Sequence, residues 1–184
     1  MKTLIFNGSA RKNGDTYALI NELTRQLEGE YRVVDAHTCG IHACCDCRYC
    51  WEHEGCCVKD GWDEIDVYLR ECDNVVIASP VYFCEITGPV LSVLSRLQMY
   101  WASRNYRHQR LLQKPKRGGM LLVGGGKGTA TSPMNTSAVL LRQMNAKEIF
   151  DPVCCFITDT CHAMESEETV KEVKQLADFL NRKD

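Results

Sequence analysis

Directly after its first apolar run the chain reads Asn7-Gly8-Ser9-Ala10-Arg11-Lys12-Asn13-Gly14-Asp15-Thr16. Apolar residues at helical spacing, such as Ile20 and Leu23, follow this stretch at once. A turn that leads from a strand into a helix offers unpaired backbone N–H groups and the positive end of the helix dipole. Ser9 and Thr16 add hydroxyl groups, and Arg11 adds a planar cation. The stretch therefore indicates a phosphate-binding turn.

The residue pattern of this turn differs from those of the loops that bind larger phosphate groups. It contains neither the Gly-Lys-Ser/Thr of a Walker loop nor the Gly-x-Gly-x-x-Gly of a dinucleotide site. A single monophosphate therefore suits it better than a triphosphate. Taken alone, the turn is also compatible with an ordinary polar connection in which Asp15 or Thr16 serves as the helix N-cap.

Apolar runs rich in β-branched residues alternate with helical patterns along the whole chain. Five predicted strands lie at residues 4–6, 32–34, 75–78, 120–123 and 153–157. Such alternation is typical of a parallel sheet with right-handed crossovers and helices on both faces. We expect the strand order 2-1-3-4-5, in which ligands bind beyond the carboxyl ends of the strands where the chain reverses direction.

Length and charge limit the classes of function. The 184 residues fit one domain, residues 1–184, and a formal net charge of −2 gives no broad positive surface for nucleic acid or an anionic membrane. No apolar stretch approaches the roughly 20 residues of a membrane-spanning helix, and the first apolar run is too short for a secretory signal. We therefore expect a cytoplasmic protein with a small-molecule site.

Two further loops are expected at the same edge of the sheet. They read Ser79-Pro80-Val81-Tyr82-Phe83-Cys84-Glu85-Ile86-Thr87-Gly88-Pro89 after the third strand and Gly124-Gly125-Gly126-Lys127-Gly128 after the fourth. Pro80, Tyr82 and Phe83 offer flat apolar contact for a ring, and glycines bring bare backbone close to a ligand. In isolation, core packing would be the preferred interpretation of the aromatic pair, and a flexible loop that of the glycines.

Seven of the 12 cysteines fall in the short window from Cys39 to Cys57. Four of them, Cys44, Cys47, Cys50 and Cys56, have the spacing C-x2-C-x2-C-x5-C. Three thiols at three-residue intervals followed by a fourth are typical of cubane iron–sulfur sites, whereas structural zinc more often uses two separated pairs. The spacing favours a [4Fe–4S] cluster. Bound zinc, metal-free thiols and a regulatory disulfide are the alternatives, and Cys45 and Cys57 add neighbouring thiols.

The cysteine window lies in a long connection, at about residues 38–61. Loops without secondary structure that exceed about 12–15 residues are uncommon in compact domains. Something is therefore expected to hold this cysteine-rich loop in place.

Taken together, these stretches resemble the NAD(P)H-dependent, FMN-binding oxidoreductases of flavodoxin-like fold. The first loop is similar to that family's Asn-Gly-Ser-Pro-Arg-Lys-Asn-Gly-Asn-Thr and departs from it at Ala10 and Asp15. The loop after the third strand is similar to Ser-Pro-Val-Tyr-Trp-Gly-x-x-Ser-Gly-Pro. The family includes iron–sulfur flavoproteins with a compact cysteine run after the second strand. The resemblance implies a flavodoxin-like three-layer α/β/α fold with a five-stranded parallel sheet.

The resemblance also implies a set of contacts and an activity. FMN would contact Ser9, Arg11, Asn13, Asp15, Thr16, Pro80, Val81, Tyr82, Phe83, Gly124, Gly125 and Gly126. Hydride would pass from NAD(P)H to FMN, and electrons would go on to a quinone, nitro compound, flavin or redox protein, with no catalytic side chain required. A homodimer or homotetramer is expected. The rival interpretations are an electron-carrier flavoprotein without turnover and a metal-binding or redox-sensing module.

Overall fold

A computed structural model describes residues 1–183. The strands are β1 (Lys2–Asn7), β2 (Glu30–Asp35), β3 (Asn74–Tyr82), β4 (Glu85–Ile86), β5 (Lys116–Val123), β6 (Ala146–Ile149) and β7 (Val153–Cys155). The helices are α1 (Asp15–Gln26), α2 (Tyr49–Glu52), α3 (Trp62–Glu71), α4 (Gly88–Leu94), α5 (Gln98–Asn105), α6 (Thr131–Gln143) and α7 (Glu167–Leu180), with 3-10 turns at Ser95–Leu97 and Ala163–Glu165. Within residues 1–183, no helix has the length and apolar character needed to cross a membrane.

The sheet has the predicted class and order. Its strands run β2-β1-β3-β5-β6, and every neighbouring pair in this series is parallel. The first and third strands of the chain are therefore adjacent, with the end of β1 at Asn7 paired to Ala78 of β3. This arrangement confirms a flavodoxin-like α/β fold and brings the loops that follow β1 and β3 to one edge.

The predicted number of five strands is wrong, because the described residues form seven. The outer position beside β5 is shared by two short strands: β6 pairs with its first half, and β7 pairs with Leu121–Val123. Pro152 lies between them, and proline has no N–H to continue a ladder. The seventh strand, β4, is a two-residue segment that folds back antiparallel onto β3.

Two apolar cores, one on each face, sandwich the sheet. Alternate residues of a strand point to opposite faces, so Leu4 and Phe6 of β1 face one core while Ile5 faces the other. The first core is covered by α3, α4, α5 and α6, and the second by α1 and α7. This layering confirms the predicted three-layer arrangement.

The helical segment that follows β4 is broken into α4, a 3-10 turn and α5. Val90, Leu94 and Leu97, which have the spacing of one helix face, are buried, but Trp101 is 38% exposed. A 3-10 turn has about three residues per turn instead of 3.6, so it rotates the apolar stripe of the helix that follows. As a result, Trp101 lies at the surface beside the cysteine-rich loop.

Candidate functional site

Hydrogen bonds join the loops after β1 and β3. The hydroxyl of Thr87 donates to the carbonyl oxygen of Gly8 at 2.9 Å, and the Thr87 N–H donates to the hydroxyl of Ser79 at 3.0 Å. A Cβ atom on Gly8 would lie 2.5 Å from Thr87 Oγ1, a distance that leaves no room for any side chain. Gly8 is therefore required for this close approach, and the two loops form a single surface.

The first loop makes a tight turn into an uncapped helix. The Arg11 N–H donates to Ser9 Oγ at 3.2 Å, and the Gly14 N–H donates to the Arg11 carbonyl at 3.0 Å. Helix α1 then begins at Asp15, and no side chain caps it at Gly14. Thr16 is buried in the first helical turn. The turn thus directs unpaired N–H groups of α1 to the same edge as Ser9.

A network of polar side chains holds the backbone of Ser9 in place. The side-chain amide of Asn7 accepts from the Ser9 N–H at 2.9 Å and donates to Asp35 Oδ1 at 2.6 Å. The Tyr17 hydroxyl donates to the same carboxylate oxygen at 2.7 Å. Burial, followed by this hydrogen bond to Asp35, raises the pKa of Tyr17 to about 12. Asn7 belongs to the quoted turn, but its supporting role and those of Tyr17 and Asp35 were missed in the sequence, because only the fold brings Asp35 to the turn.

Asp15 directs its carboxylate to the loop after β7. Its Oδ1 accepts from the Ala163 N–H at 2.8 Å and lies 3.3 Å from Nδ1 of His162. The carboxylate therefore holds the 3-10 turn that starts at Ala163 beside the phosphate-binding turn. This bond to a neighbouring loop gives Asp15 a structural role, whereas its predicted contact with FMN stays a prediction.

The hairpin between β3 and β4 presents an aromatic ring to solvent. Phe83 and Cys84 form its two-residue turn with φ angles of 53° and 60°. Left-handed φ at both turn positions is the type I′ geometry, which favours Asn-Gly. Phe83 is wholly exposed, and Tyr82 beside it is 56% exposed. An exposed phenylalanine held in a strained conformation is typical of a functional surface.

The glycine loop after β5 packs against the segment that follows β7. Cβ atoms on Gly124 and Gly125 would lie 2.3 Å from the Phe156 ring and 2.6 Å from Asp159 Oδ1, whereas Gly126 faces open space. The Asp159 N–H donates to the carbonyl oxygen of Gly125 at 3.1 Å. Residues 156–163 thus join the candidate site as a fourth loop. Their position after a strand was the one signal that could have revealed them in the sequence.

The four predicted ligand cysteines line one cavity. Cys44, Cys47, Cys50 and Cys56 share it with Arg96, and aromatic and sulfur-containing side chains complete its wall. Burial raises the pKa of the Cys50 thiol, and its neighbours Cys44, Cys56 and Cys47 raise it further. Within residues 1–183, no three His, Cys, Asp or Glu side chains converge as ligands of a single metal ion would.

Two residues with left-handed backbone conformations flank Cys47, whose side chain is exposed. Asp46 and Arg48, which alternate with the cysteines, have φ angles of 51° and 62°. Left-handed residues other than glycine cost of order 1–3 kcal/mol each and persist only where the surroundings impose them. Cys47 lies within this strained segment, where the backbone N–H of Tyr49 and then the Cys57 thiol lower its pKa. The Sγ atoms of Cys47 and Cys57 are 3.1 Å apart.

A buried ion pair closes the ends of the cysteine-rich loop. Arg96, which is 2% exposed, donates from Nη1 to the His42 carbonyl at 3.1 Å and to Asp60 Oδ2 at 2.8 Å, and from Nη2 to the Val58 carbonyl at 3.0 Å. Burial opposes ionisation of Asp60, but N–H donors of His42 and Trp62 and the guanidinium of Arg96 outweigh it and lower its pKa.

A second arginine, Arg107, holds the middle of the loop by donating to the carbonyl oxygens of Cys50 and His53, each at 2.7 Å. Hydrogen bonds from two arginine side chains outside the cysteine-rich loop therefore help to hold this long loop in place. The sequence places Arg107 in a basic, aromatic segment, where a surface role is the simpler expectation.

Two cysteines outside the loop belong to the core. Cys155 is buried on β7, and its neighbour Cys154 packs against the opposite apolar core. Burial raises the pKa of the Cys154 thiol to about 11. Because both side chains pack in the apolar cores and lie outside the cysteine cavity, these two residues are structural.

The fold and its converging loops define the flavodoxin-like class of α/β proteins. The chain belongs to the NADPH-dependent FMN reductase family, which matches residues 1–160. It is thus a member of a family of flavin-dependent reductases.

Curated relatives carry the name iron-sulfur flavoprotein. One from Archaeoglobus fulgidus is 30% identical over 131 residues, which cover 70% of this chain and 56% of that protein. One from Methanocaldococcus jannaschii is 29% identical over 130 residues, covering 69% of this chain and 64% of the relative. The matches thus span less than two thirds of these relatives.

Solved structures share the fold at low sequence identity. An FMN-dependent NADH-azoreductase from Bacillus anthracis, in complex with FMN, has a TM-score of 0.72 at 13% identity, with 99% of this chain and 100% of that chain covered. An NAD(P)H:quinone oxidoreductase from Methanothermobacter marburgensis has a TM-score of 0.73 at 11% identity, with 96% and 97% covered. These similarities support the fold.

Proposed function

We propose that this protein is an FMN-dependent NAD(P)H oxidoreductase with its flavin at the edge where the loops after β1, β3 and β5 meet. The observation that carries the proposal is the hydrogen bond from Thr87 to Gly8, which fixes an uncapped helix N-terminus beside an exposed aromatic hairpin. A phosphate group suits the uncapped helix N-terminus, and a flat ring suits the exposed aromatic hairpin.

The chain's residues fit FMN in two parts. The residues that would hold the phosphate are Ser9, Arg11, Asn13 and Thr16 together with the first turn of α1, because these groups lie at an uncapped N-terminus. The residues that would contact the ring system are Pro80, Val81, Tyr82 and Phe83 and the backbone of Gly124, Gly125 and Gly126. Bound FMN supplies the hydride chemistry, so the side chains bind and orient without acting as acid or base.

A [4Fe–4S] cluster suits the cysteine cavity better than zinc does. In a cubane, each thiolate binds a different iron atom, so the ligands surround the cluster, whereas four zinc ligands converge on one ion. Cys44, Cys47, Cys50 and Cys56 line one cavity and have the spacing C-x2-C-x2-C-x5-C, which fits the first arrangement. A cluster held there would supply one-electron transfer beside the flavin.

The electron acceptor would be a small molecule such as a quinone, nitro compound or flavin, or a redox protein. The exposed Phe83 favours assembly of the protein as a homodimer or homotetramer, because a fully exposed aromatic side chain at a candidate site is a typical subunit contact.

The deciding experiment is an anaerobic purification followed by reconstitution with FMN and assay with NADH and NADPH. The proposal expects a two-band flavin spectrum, repeated turnover with a quinone or nitro acceptor, and iron and sulfide in equal amounts. Flavin reduction by an external reductant but not by NAD(P)H would instead support an electron carrier. A colourless protein holding stoichiometric zinc would support a metal-binding or sensing module.

Replacing Ser9 and Arg11 together with alanine is expected to strip FMN from the protein. The double variant loses a hydroxyl and a charge-assisted hydrogen bond, worth together about 2–4 kcal/mol, or roughly 30- to 1,000-fold in Kd. Fluorescence titration with FMN measures this change. Lys12→Ala removes an exposed cation from the same turn and serves as the control, with a small effect. Unchanged affinity in the double variant would mean that the phosphate lies elsewhere.

A further inference from the structure

The guanidinium of Arg96 has one donor that the loop does not use. Its two terminal nitrogens donate to the His42 and Val58 carbonyls and to Asp60, but its Nε is buried without a hydrogen-bond partner. Leaving a buried donor of a charged group unsatisfied is unfavourable, because the group has lost its hydrogen bonds to water. Such a group in a native fold requires an explanation.

The position of Arg96 explains the unused donor. Arg96 lines the same cavity as the four predicted ligand cysteines. Neighbouring contacts fix it there. Ser95 accepts from the Cys44 N–H at 2.8 Å, which ties the first ligand to the same 3-10 turn, and the guanidinium lies 5.7 Å from the centre of the Trp62 ring. At 2% exposure, its charge is little screened by solvent.

We infer that Arg96 is the positioning residue that tunes the metal centre held by the cysteines, with its Nε–H donating to a sulfur atom in the cavity. The inference rests on the proposed [4Fe–4S] site. A cluster with four thiolate ligands is anionic and gains one further negative charge on reduction. A buried cation that also donates a hydrogen bond to sulfur favours the reduced state, because net charge and hydrogen bonds to sulfur set cluster potentials.

Two substitutions on the same ion pair separate this role from simple loop support. Arg96→Gln removes the positive charge and is expected to lower the equilibrium constant for cluster reduction at least about tenfold, equivalent to about 59 mV for one electron. Asp60→Asn removes the opposing negative charge, keeps Nε–H, and is expected to shift the potential upward. Were Arg96 only a loop clamp, both variants would loosen the loop and shift the potential in the same direction.

Arg48 provides the matched control. It lines the same cavity, but its side chain is 63% exposed. Because water and salt screen an exposed charge, Arg48→Gln is expected to shift the potential much less than Arg96→Gln does. Equal shifts in the two variants would argue for a general effect of net charge and against a specific role of Arg96.

Pulsed electron paramagnetic resonance tests the hydrogen bond itself. Wild-type protein labelled with ¹⁵N at arginine Nε and reduced with dithionite is expected to show a ¹⁵N coupling that disappears in Arg96→Lys and persists in Arg107→Lys. Absence of the coupling in wild-type protein overturns the inference even where the variants fail to fold. Absence of iron in wild-type protein overturns the cluster and the inference together, whereas iron with unchanged potentials and no coupling overturns the inference alone.

Discussion

Cys50→Ala is expected to abolish iron and sulfide binding while leaving FMN binding intact. Cys50 is one of the four predicted ligands, and the other three all lie close enough to raise its pKa. Its removal leaves three ligands around a cluster that needs four. Iron and acid-labile sulfide analysis after anaerobic reconstitution measures the loss, and flavin absorbance reports on the second site in the same sample.

Cys154→Ala is the matched control for this experiment. Cys154 is also partly buried, but it lies on β7 outside the cysteine cavity, so its replacement should leave the iron content unchanged. Full iron occupancy in Cys50→Ala would contradict the ligand set and direct attention to Cys45 and Cys57. Loss of iron in both variants would indicate a general failure of the fold.

The sequence predicted those parts of the fold that depend on local pattern. Each buried strand of the parallel sheet is a short apolar run, and the adjacency of β1 and β3 follows from the alternation of strands with helices. Because parallel strands end at one edge, the loops beginning at Gly8 and at Ser79 were expected to meet. The hydrogen bond between Thr87 and Gly8 shows that they do.

Features set by distant contacts could not be predicted. Arg96 follows Leu94 and Ser95 in a helical pattern, and nothing local distinguishes it from a solvent-exposed arginine. Its burial depends on Asp60 and on the carbonyl groups of the cysteine-rich loop, which only the tertiary fold brings together. The division of the outer strand at Pro152 was missed for a related reason: strand breaks depend on which partner is available for pairing.

One short helix connects the two candidate sites. Helix α4 begins directly after Thr87 in the flavin loop, and the 3-10 turn at its end carries Ser95 and Arg96 to the cysteine cavity. Seven residues of helix span about 10 Å at 1.5 Å per residue. Because Val90 and Leu94 anchor this helix in the core, the spacing between flavin loop and cysteine cavity is fixed by the fold. A fixed, short separation suits electron transfer between the two.

The junction at the start of that helix gives the most direct test of the flavin site. Gly8→Ala is expected to separate the loops after β1 and β3, because the new Cβ would lie 2.5 Å from Thr87 Oγ1 and 2.8 Å from Ser79 Oγ. Both hydroxyls belong to short, buried side chains that cannot swing away. Overpacking of this kind costs about 1–3 kcal/mol, and a comparable loss of binding energy weakens FMN affinity by roughly 5- to 150-fold.

Gly88→Ala lies at the same junction and distinguishes this clash from a general effect of replacing glycine. A Cβ on Gly88 meets nothing within 4 Å, and alanine is favoured over glycine in a helix by about 0.5–1 kcal/mol. Thermal denaturation and FMN titration of both variants give the comparison. The expected result is a lower Tm and weaker FMN binding in Gly8→Ala alone. If Gly8→Ala lost stability but bound FMN as tightly as wild type, the contact between the loops would serve folding, and the flavin would have to lie outside it.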